Sequence, residues 1–291
     1  MKECYLYQKL PDQKVQCQTC NHFCKISPDK RGICGVRENH NGKLCLLVYG
    51  KAIAVHIDPI EKKPLYHFLP GTLTFSIATV GCNFRCLWCQ NSEISQLKIK
   101  NLKFKIASDL PPLKIIEEAL ANNCPSISYT YTEPTIFLEY ALDTMKLAKK
   151  AGLKNIWVSN GYMSPQTLKL ILPYLDAVNV DLKSFKNETY QKYCGAKLQP
   201  ILDNLIILNK RKIHLEITTL IIPKLNDSPS ELLQIAKFIA DKLSKNIPWH
   251  ISRFFPSYKM QETPITPKAT LQKTKKIGIE AGLKNVYIGN I

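Results

Sequence analysis

No run of roughly 18 apolar residues occurs in this sequence, and a helix needs about that many to cross a bilayer. The opening residues, Met1-Lys2-Glu3-Cys4-Tyr5-Leu6-Tyr7, lack the apolar core of a secretory signal. These absences predict a cytoplasmic chain with no membrane partner. Neither G-x-G-x-x-G nor G-x-x-x-x-G-K-S/T is present, so a ligand site here is not assembled around those phosphate-cradling loops. Arginine is scarce. Only Arg31, Arg37, Arg85, Arg211 and Arg253 stand among 40 basic residues, against 23 acidic ones, for a net charge of +17. Base readers and phosphate clamps favour the bidentate fork of arginine. The lysines never run longer than two. Most of them read as solvated surface, and nucleic acid is not the expected partner.

What the chain does have is ordinary globular composition, with 45% hydrophobic and 22% charged residues over 291 positions, and an excess of cysteine. The length fits one or two domains. In a chain without export, eleven cysteines read as metal ligands or reactive thiols before they read as disulfides. Six lie within the first 45 residues (Cys4, Cys17, Cys20, Cys24, Cys34, Cys45) and three more at Cys82, Cys86 and Cys89. This predicts a small Cys-rich N-terminal module over residues 1–70 and a larger body over 71–291.

From residue 72 the sequence alternates β-rich and helical stretches. Strands are expected at 72–80, 126–131, 155–159, 177–182, 214–222 and 249–255, with a further one at 285–291. Helices are expected between them. Thr135 is the expected N-cap of a helix over 136–151. Pro165 should open a short helix. Ser228-Pro229-Ser230-Glu231 reads as a capping box. Six β-then-α units imply an α/β fold with a parallel sheet. Periodicity alone allows an open doubly wound sheet or a partial barrel. Each strand ends in polar chemistry: Gly81-Cys82, Glu133, Asn160, Asp181 with Lys183, Thr218-Thr219, then His250 and Arg253. Ligands in parallel α/β folds bind at these ends, so the groups should converge.

The loop Gly81-Cys82-Asn83-Phe84-Arg85-Cys86-Leu87-Trp88-Cys89 carries a C-x3-C-x2-C pattern. Three thiolates can each take one iron of a [4Fe–4S] cubane and leave the fourth iron open. The competing reading is a zinc knuckle, which wants a fourth ligand. Between Glu61 and Cys124 only His67, fifteen residues upstream, could serve. The cluster is the favoured reading. Cys17-x2-Cys20-x3-Cys24-x9-Cys34 holds enough thiols to close a second metal site. Tetrahedral zinc is the default there and a second iron–sulfur cluster the alternative, with metal-free buried thiols the third reading. His22 lies inside that run as a turn residue or a replacement ligand. Cys4, Cys45 and Cys124 read as packing residues. Cys194 reads as a buried small residue or a substrate-facing thiol.

A C-x3-C-x2-aromatic-C loop directly after the first strand of a βα repeat resembles the radical S-adenosylmethionine (SAM) superfamily. TYTEP (130–134), SNGY (159–162), VDLKSF (180–185) and WHISRFFPSYKM (249–260) are similar to the pyruvate formate-lyase activating-enzyme branch. The N-terminal C-x2-C-x-H-x-C with RGICGVREN, YCGAKL and TTLIIPKLND resembles the AmmeMemoRadiSam-system radical SAM enzymes. The resemblance covers nearly the whole chain and implies a partial (β/α)6 TIM-type barrel. It implies that Cys82, Cys86 and Cys89 hold a [4Fe–4S] cluster whose open iron is chelated by SAM. Trp88 would pack by the adenine. Glu133 would accept from the SAM ammonium, although Tyr131-Thr132 replaces the family's two glycines. Asn160, Asp181 and Lys183 would line the ribose and methionine pockets, and His250 would approach the adenosine. The related activases use an arginine for the SAM carboxylate. Here Glu216-Ile217-Thr218-Thr219 has none, and Lys183 is the candidate. The resemblance further implies an electron donor of flavodoxin or ferredoxin type, and Memo-like and AMMECR1-like proteins as partners. The implied activity is reductive SAM cleavage with hydrogen abstraction from a protein, including glycyl radical activation, or from a small molecule. The alternatives are a radical SAM enzyme that modifies RNA and a non-catalytic zinc-binding adaptor.

Overall fold

The computed structural model describes residues 1–96 and 108–291. Its main sheet has eight strands: β1 (Ala54–Pro59), β2 (Leu73–Ala78), β3 (Ser126–Tyr129), β4 (Lys154–Ser159), β5 (Ala177–Asp181), β6 (His214–Ile221), β7 (Trp249–Arg253) and β8 (Val286–Gly289). They lie side by side in chain order. Each of β2 to β8 runs parallel to its neighbours in that series, and β1 is antiparallel to β2. Among the described residues, six helices of seven residues or more connect the parallel strands: α1 (Pro112–Ala121), α2 (Leu138–Lys150), α3 (Pro165–Ile171), α4 (Gln199–Lys210), α5 (Pro229–Lys237) and α6 (Lys268–Glu280).

The strand order decides between the two architectures that periodicity left open. A doubly wound sheet reverses its order at a switch point. Here no reversal occurs, so right-handed crossovers place every helix on the same face. A sheet covered on one side only curls around its other face. β8 and β1 do not pair, so the result is a partial barrel. Strands buried on both faces, such as AVNV in β5, supply its wall.

Two local expectations are corrected. Thr135 does not cap a helix. A 3-10 turn over Pro134–Phe137 intervenes, and the Glu133 side chain accepts the Thr135 N–H at its start. Ser228 makes no side-chain cap either. Its intended partner Glu231 is buried, accepts from Ser184 Oγ and Phe185 N, and forms an ion pair with Lys186 Nζ. A fully buried carboxylate takes the donors that reach it from the loop after β5, and tertiary pairing outweighs the local motif. Ser164 does cap α3, accepting from Thr167 N at 3.1 Å.

The N-terminal residues form two three-stranded antiparallel sheets. One joins Tyr7–Lys9, Val15–Cys17 and Lys25–Ile26, the other Lys2–Glu3, Lys43–Leu46 and Arg37–His40. Strand β1 lies within the 1–70 stretch yet belongs to the main sheet. One continuous apolar cluster runs from Val15, Val36 and Leu44 into the barrel. The small sheets are tied to the barrel by a buried ion pair. Arg37, 1% exposed, places Nη2 2.6 Å from Glu139 Oε2 on α2 and Nη1 3.2 Å from Oε1, while its Nε donates to Ile136 O at 2.9 Å. Tyr5 N donates to the same carboxylate. Removing one partner of such a pair strands a buried charge. Arg37→Ala should lower the unfolding free energy by about 3–5 kcal/mol in urea titration. Arg37→Met with Glu139→Leu should cost much less. A loss below about 1 kcal/mol in Arg37→Ala would show that the pair does not hold the module.

Candidate functional site

The sheet delivers its polar strand ends to one cavity of about 410 Å³. Cys82, Cys86, Cys89 and Trp88 border it from the loop after β2. Glu133 comes from the end of β3, Asn160 from β4, and Asp181 with Lys183 from β5. Eight of the nine residues assigned to the cluster and SAM from sequence therefore meet around one space. The volume lies in the range of a small-ligand site.

His250 is the exception. Its Nε2 stands 2.6 Å from Glu216 Oε2, and its ring stacks on Tyr287 at 5.5 Å and meets Tyr66 edge-on at 4.6 Å. It does not border the cavity, whereas Ser252, two residues on, does. The reason is the buried carboxylate. Glu216 also accepts from His214 Nε2, Tyr66 N and His67 N. Although burial opposes its charge, these donors hold the group down to about 2. A charge so committed inside the barrel draws the imidazole away from the cavity.

Glu133 organises the mouth. It is 2% exposed. Oε1 accepts from Thr135 N, Thr135 Oγ1 and Ser159 Oγ, the last at 2.8 Å, while Oε2, among the described residues, accepts only from Asn160 N at 2.8 Å. Oε2 thus keeps acceptor capacity toward the cavity. Burial raises the pKa of this carboxyl against those donors. Asn160 Nδ2 in turn donates to Asn83 Oδ1 at 2.7 Å, which ties β4 to the cysteine loop. Asn83 Nδ2 is buried with no acceptor among the described residues. It stands beside Cys82 and is a donor left over for a group held there.

Tyr131 occupies the turn where the resemblance expects glycine. Its φ of 61° is left-handed. The hydroxyl donates to Asp58, Lys63 Nζ sits 4.4 Å over the ring, and the carbonyl accepts from Asn91 Nδ2 at 2.8 Å. These anchors offset the backbone strain. Lys63 itself is 1% exposed, is 2.6 Å from Asp58, and borders the cavity with Lys62. Sequence reasoning missed this cation. A lysine in the connection between β1 and β2 carries no periodic signal, and only the pairing of those strands brings it in. Lys183 is not a free cation, because its Nζ lies 2.9 Å from Asp181 Oδ2. Burial opposes its charge, and Asp181 together with the neighbouring Cys86 and Cys194 outweighs that to raise its pKa. Cys194 is fully buried, and its thiol beside Cys86 lowers the Cys86 pKa.

Among the described residues no three Cys, His, Asp or Glu side chains surround a single ion-sized point. A cubane does not ask for that, since each thiolate binds a different iron. Three cysteines on one cavity edge, an unpartnered buried donor beside them and adjoining ligand space fit a cluster with one open iron.

The model of the Radical SAM superfamily matches residues 76–239. The chain belongs to the radical SAM superfamily. An uncharacterized protein of Methanocaldococcus jannaschii is 45% identical over 291 residues, spanning 100% of this chain and 86% of that one. The (2S)-3-sulfopropanediol dehydratase activating enzyme of Klebsiella oxytoca is 27% identical over 115 residues, 40% of this chain and 36% of that one. A radical SAM methyltransferase from Sphaerobacter thermophilus shares the fold with TM-score 0.60 at 11% identity, covering 76% of this chain and 67% of that one. The chain is a radical SAM enzyme with activating-enzyme relatives, and the family implies a [4Fe–4S] cluster and SAM. That membership overturns the reading as a non-catalytic zinc adaptor.

The cysteine loop is set close against the N-terminal module. At Gly81, φ is 93°, and an added Cβ would lie 2.6 Å from Cys34 O and 2.9 Å from Val36 Cγ1. Gly81→Ala should therefore displace the loop and cut bound iron per chain by more than half on anaerobic reconstitution. Gly152→Ala has φ of 79° with nothing within 4 Å. It should cost about 1 kcal/mol of stability and leave iron unchanged. Equal iron in both variants would contradict the constraint at Gly81.

Proposed function

We propose that Cys82, Cys86 and Cys89 hold the [4Fe–4S] cluster and that the adjoining cavity holds SAM against it. The observation that carries this reading is the meeting of the three cysteines with Glu133, Asn160, Asp181 and Lys183 around one space. When bound, the cluster supplies the electron that cleaves SAM to methionine and a 5′-deoxyadenosyl radical, which takes a hydrogen atom from the substrate. The chain's own residues bind and orient. Glu133 Oε2 accepts from the SAM ammonium. Lys183, held by Asp181, faces the carboxylate end. Asn160 is locked between Glu133 and Asn83 and presents a fixed amide. Trp88, 4% exposed, supplies an aromatic wall by the adenine. Burial of the mouth excludes water that would quench a radical.

The substrate class we propose is a protein or small molecule that yields a hydrogen atom, with glycyl radical formation on a partner protein as the leading case. The activating-enzyme relatives support it. The subgroup resemblance favours Memo-like and AMMECR1-like proteins as partners, a flavodoxin- or ferredoxin-type donor, and a cytoplasmic setting. RNA modification has only the dispersed lysine charge behind it.

Anaerobically reconstituted protein given dithionite and SAM should form 5′-deoxyadenosine, and Cys86→Ala should lose both cluster and cleavage. Full iron and sulfide content without 5′-deoxyadenosine would defeat the proposal. Glu133→Gln should raise the KM for SAM roughly 10–100-fold, the worth of a charge-assisted hydrogen bond. An unchanged KM would remove Glu133 from the ammonium site.

A further inference from the structure

The thiols of the N-terminal module face a site of their own. Cys17, Cys20, Cys24 and Cys34 all line one small cavity, together with His22 and Arg37. None is in a disulfide. The elements that carry them are short: strands Val15–Cys17 and Lys25–Ile26, a turn between, and the loop ahead of Arg37. The turn is tight. Phe23, next to Cys24, has φ of 45°, and a Cβ on Gly32 would sit 3.7 Å from Cys24 Sγ.

Arg37 lines the same cavity, and Arg85 donates to Ile33 O at its rim. Both place positive charge beside a thiolate set.

Size then separates the candidates. The cavity amounts to about 10 Å³, room for about one water-sized sphere. That is too little for a cubane and about the size of a single ion. The four Sγ atoms do not yet share a bonding centre, so closure asks the side chains to turn inward on the space they already line. His22 is not needed as a ligand. Its Nε2 donates to Asn83 O at 2.8 Å.

We propose that Cys17, Cys20, Cys24 and Cys34 form a mononuclear tetrahedral zinc site, distinct from the cluster, that fixes the turn carrying His22 against the cysteine loop. The same turn is docked on the loop after β4. Asn21 N donates to Tyr162 O at 3.1 Å, its Nδ2 to Met163 O at 2.5 Å, and Thr167 Oγ1 to Thr19 O at 2.7 Å. One ion therefore braces two of the loops that carry the SAM site.

The test is zinc, iron and sulfide analysis of the full chain with Cys82, Cys86 and Cys89 all changed to Ala. Iron and sulfide should vanish while about one zinc per chain remains. Cys20→Ser and Cys24→Ser should each lose at least nine-tenths of that zinc, and Cys45→Ser should keep it. Iron in the triple variant, no metal at all, or zinc retained in both serine variants would overturn the assignment. Should a variant fail to fold, cobalt(II) added to the metal-stripped full chain gives an independent reading. Tetrahedral thiolate absorption supports the site, and its absence overturns it.

Discussion

A single buried carboxylate holds the mouth of this barrel together. Glu133 joins the end of β3 to the end of β4 through Ser159 and Asn160, and Asn160 passes the constraint to Asn83 in the cysteine loop. From there His22 carries it into the N-terminal module. Burying a carboxylate is costly unless donors surround it, and here four protein hydrogen bonds do so. The network stays intact only if three separate loops keep their relative positions. A cluster whose ligands lie on one short loop, with a ligand space built by other strands, depends on that registration.

The N-terminal module belongs to the same arrangement. It shares the barrel's apolar core, joins α2 through Arg37 and Glu139, and presses Cys34 O against Gly81. Glycine at Gly81 serves two needs at once, a left-handed φ and contact with another backbone. The module therefore acts as a wall for the cysteine loop. On the other side, Tyr131 holds a strained turn with its ring and hydroxyl locked over Lys63 and Asp58.

Much of the site was legible because its chemistry falls at strand ends, where parallel sheets bring residues together. Cys82, Trp88, Glu133, Asn160, Asp181 and Lys183 could be placed that way. His250 failed the same logic. Position on a strand says where a side chain starts, and the competing carboxylate of Glu216, on the neighbouring strand, decides where it points. The Arg37–Glu139 pair was invisible because partners 102 residues apart leave no local pattern, and Lys63 because its place at the cavity depends on the pairing of β1 with β2. The capping box at Ser228 was a true local motif defeated by a tertiary claim on Glu231. The choice between open sheet and partial barrel depended on strand order, which no stretch of sequence encodes by itself.

The most direct measurement is the electron paramagnetic resonance spectrum of the dithionite-reduced chain, recorded with and without SAM. A [4Fe–4S] cluster held by Cys82, Cys86 and Cys89 with its fourth iron open should give a signal that changes when SAM is added. A full-intensity signal left unaltered by saturating SAM would contradict the account.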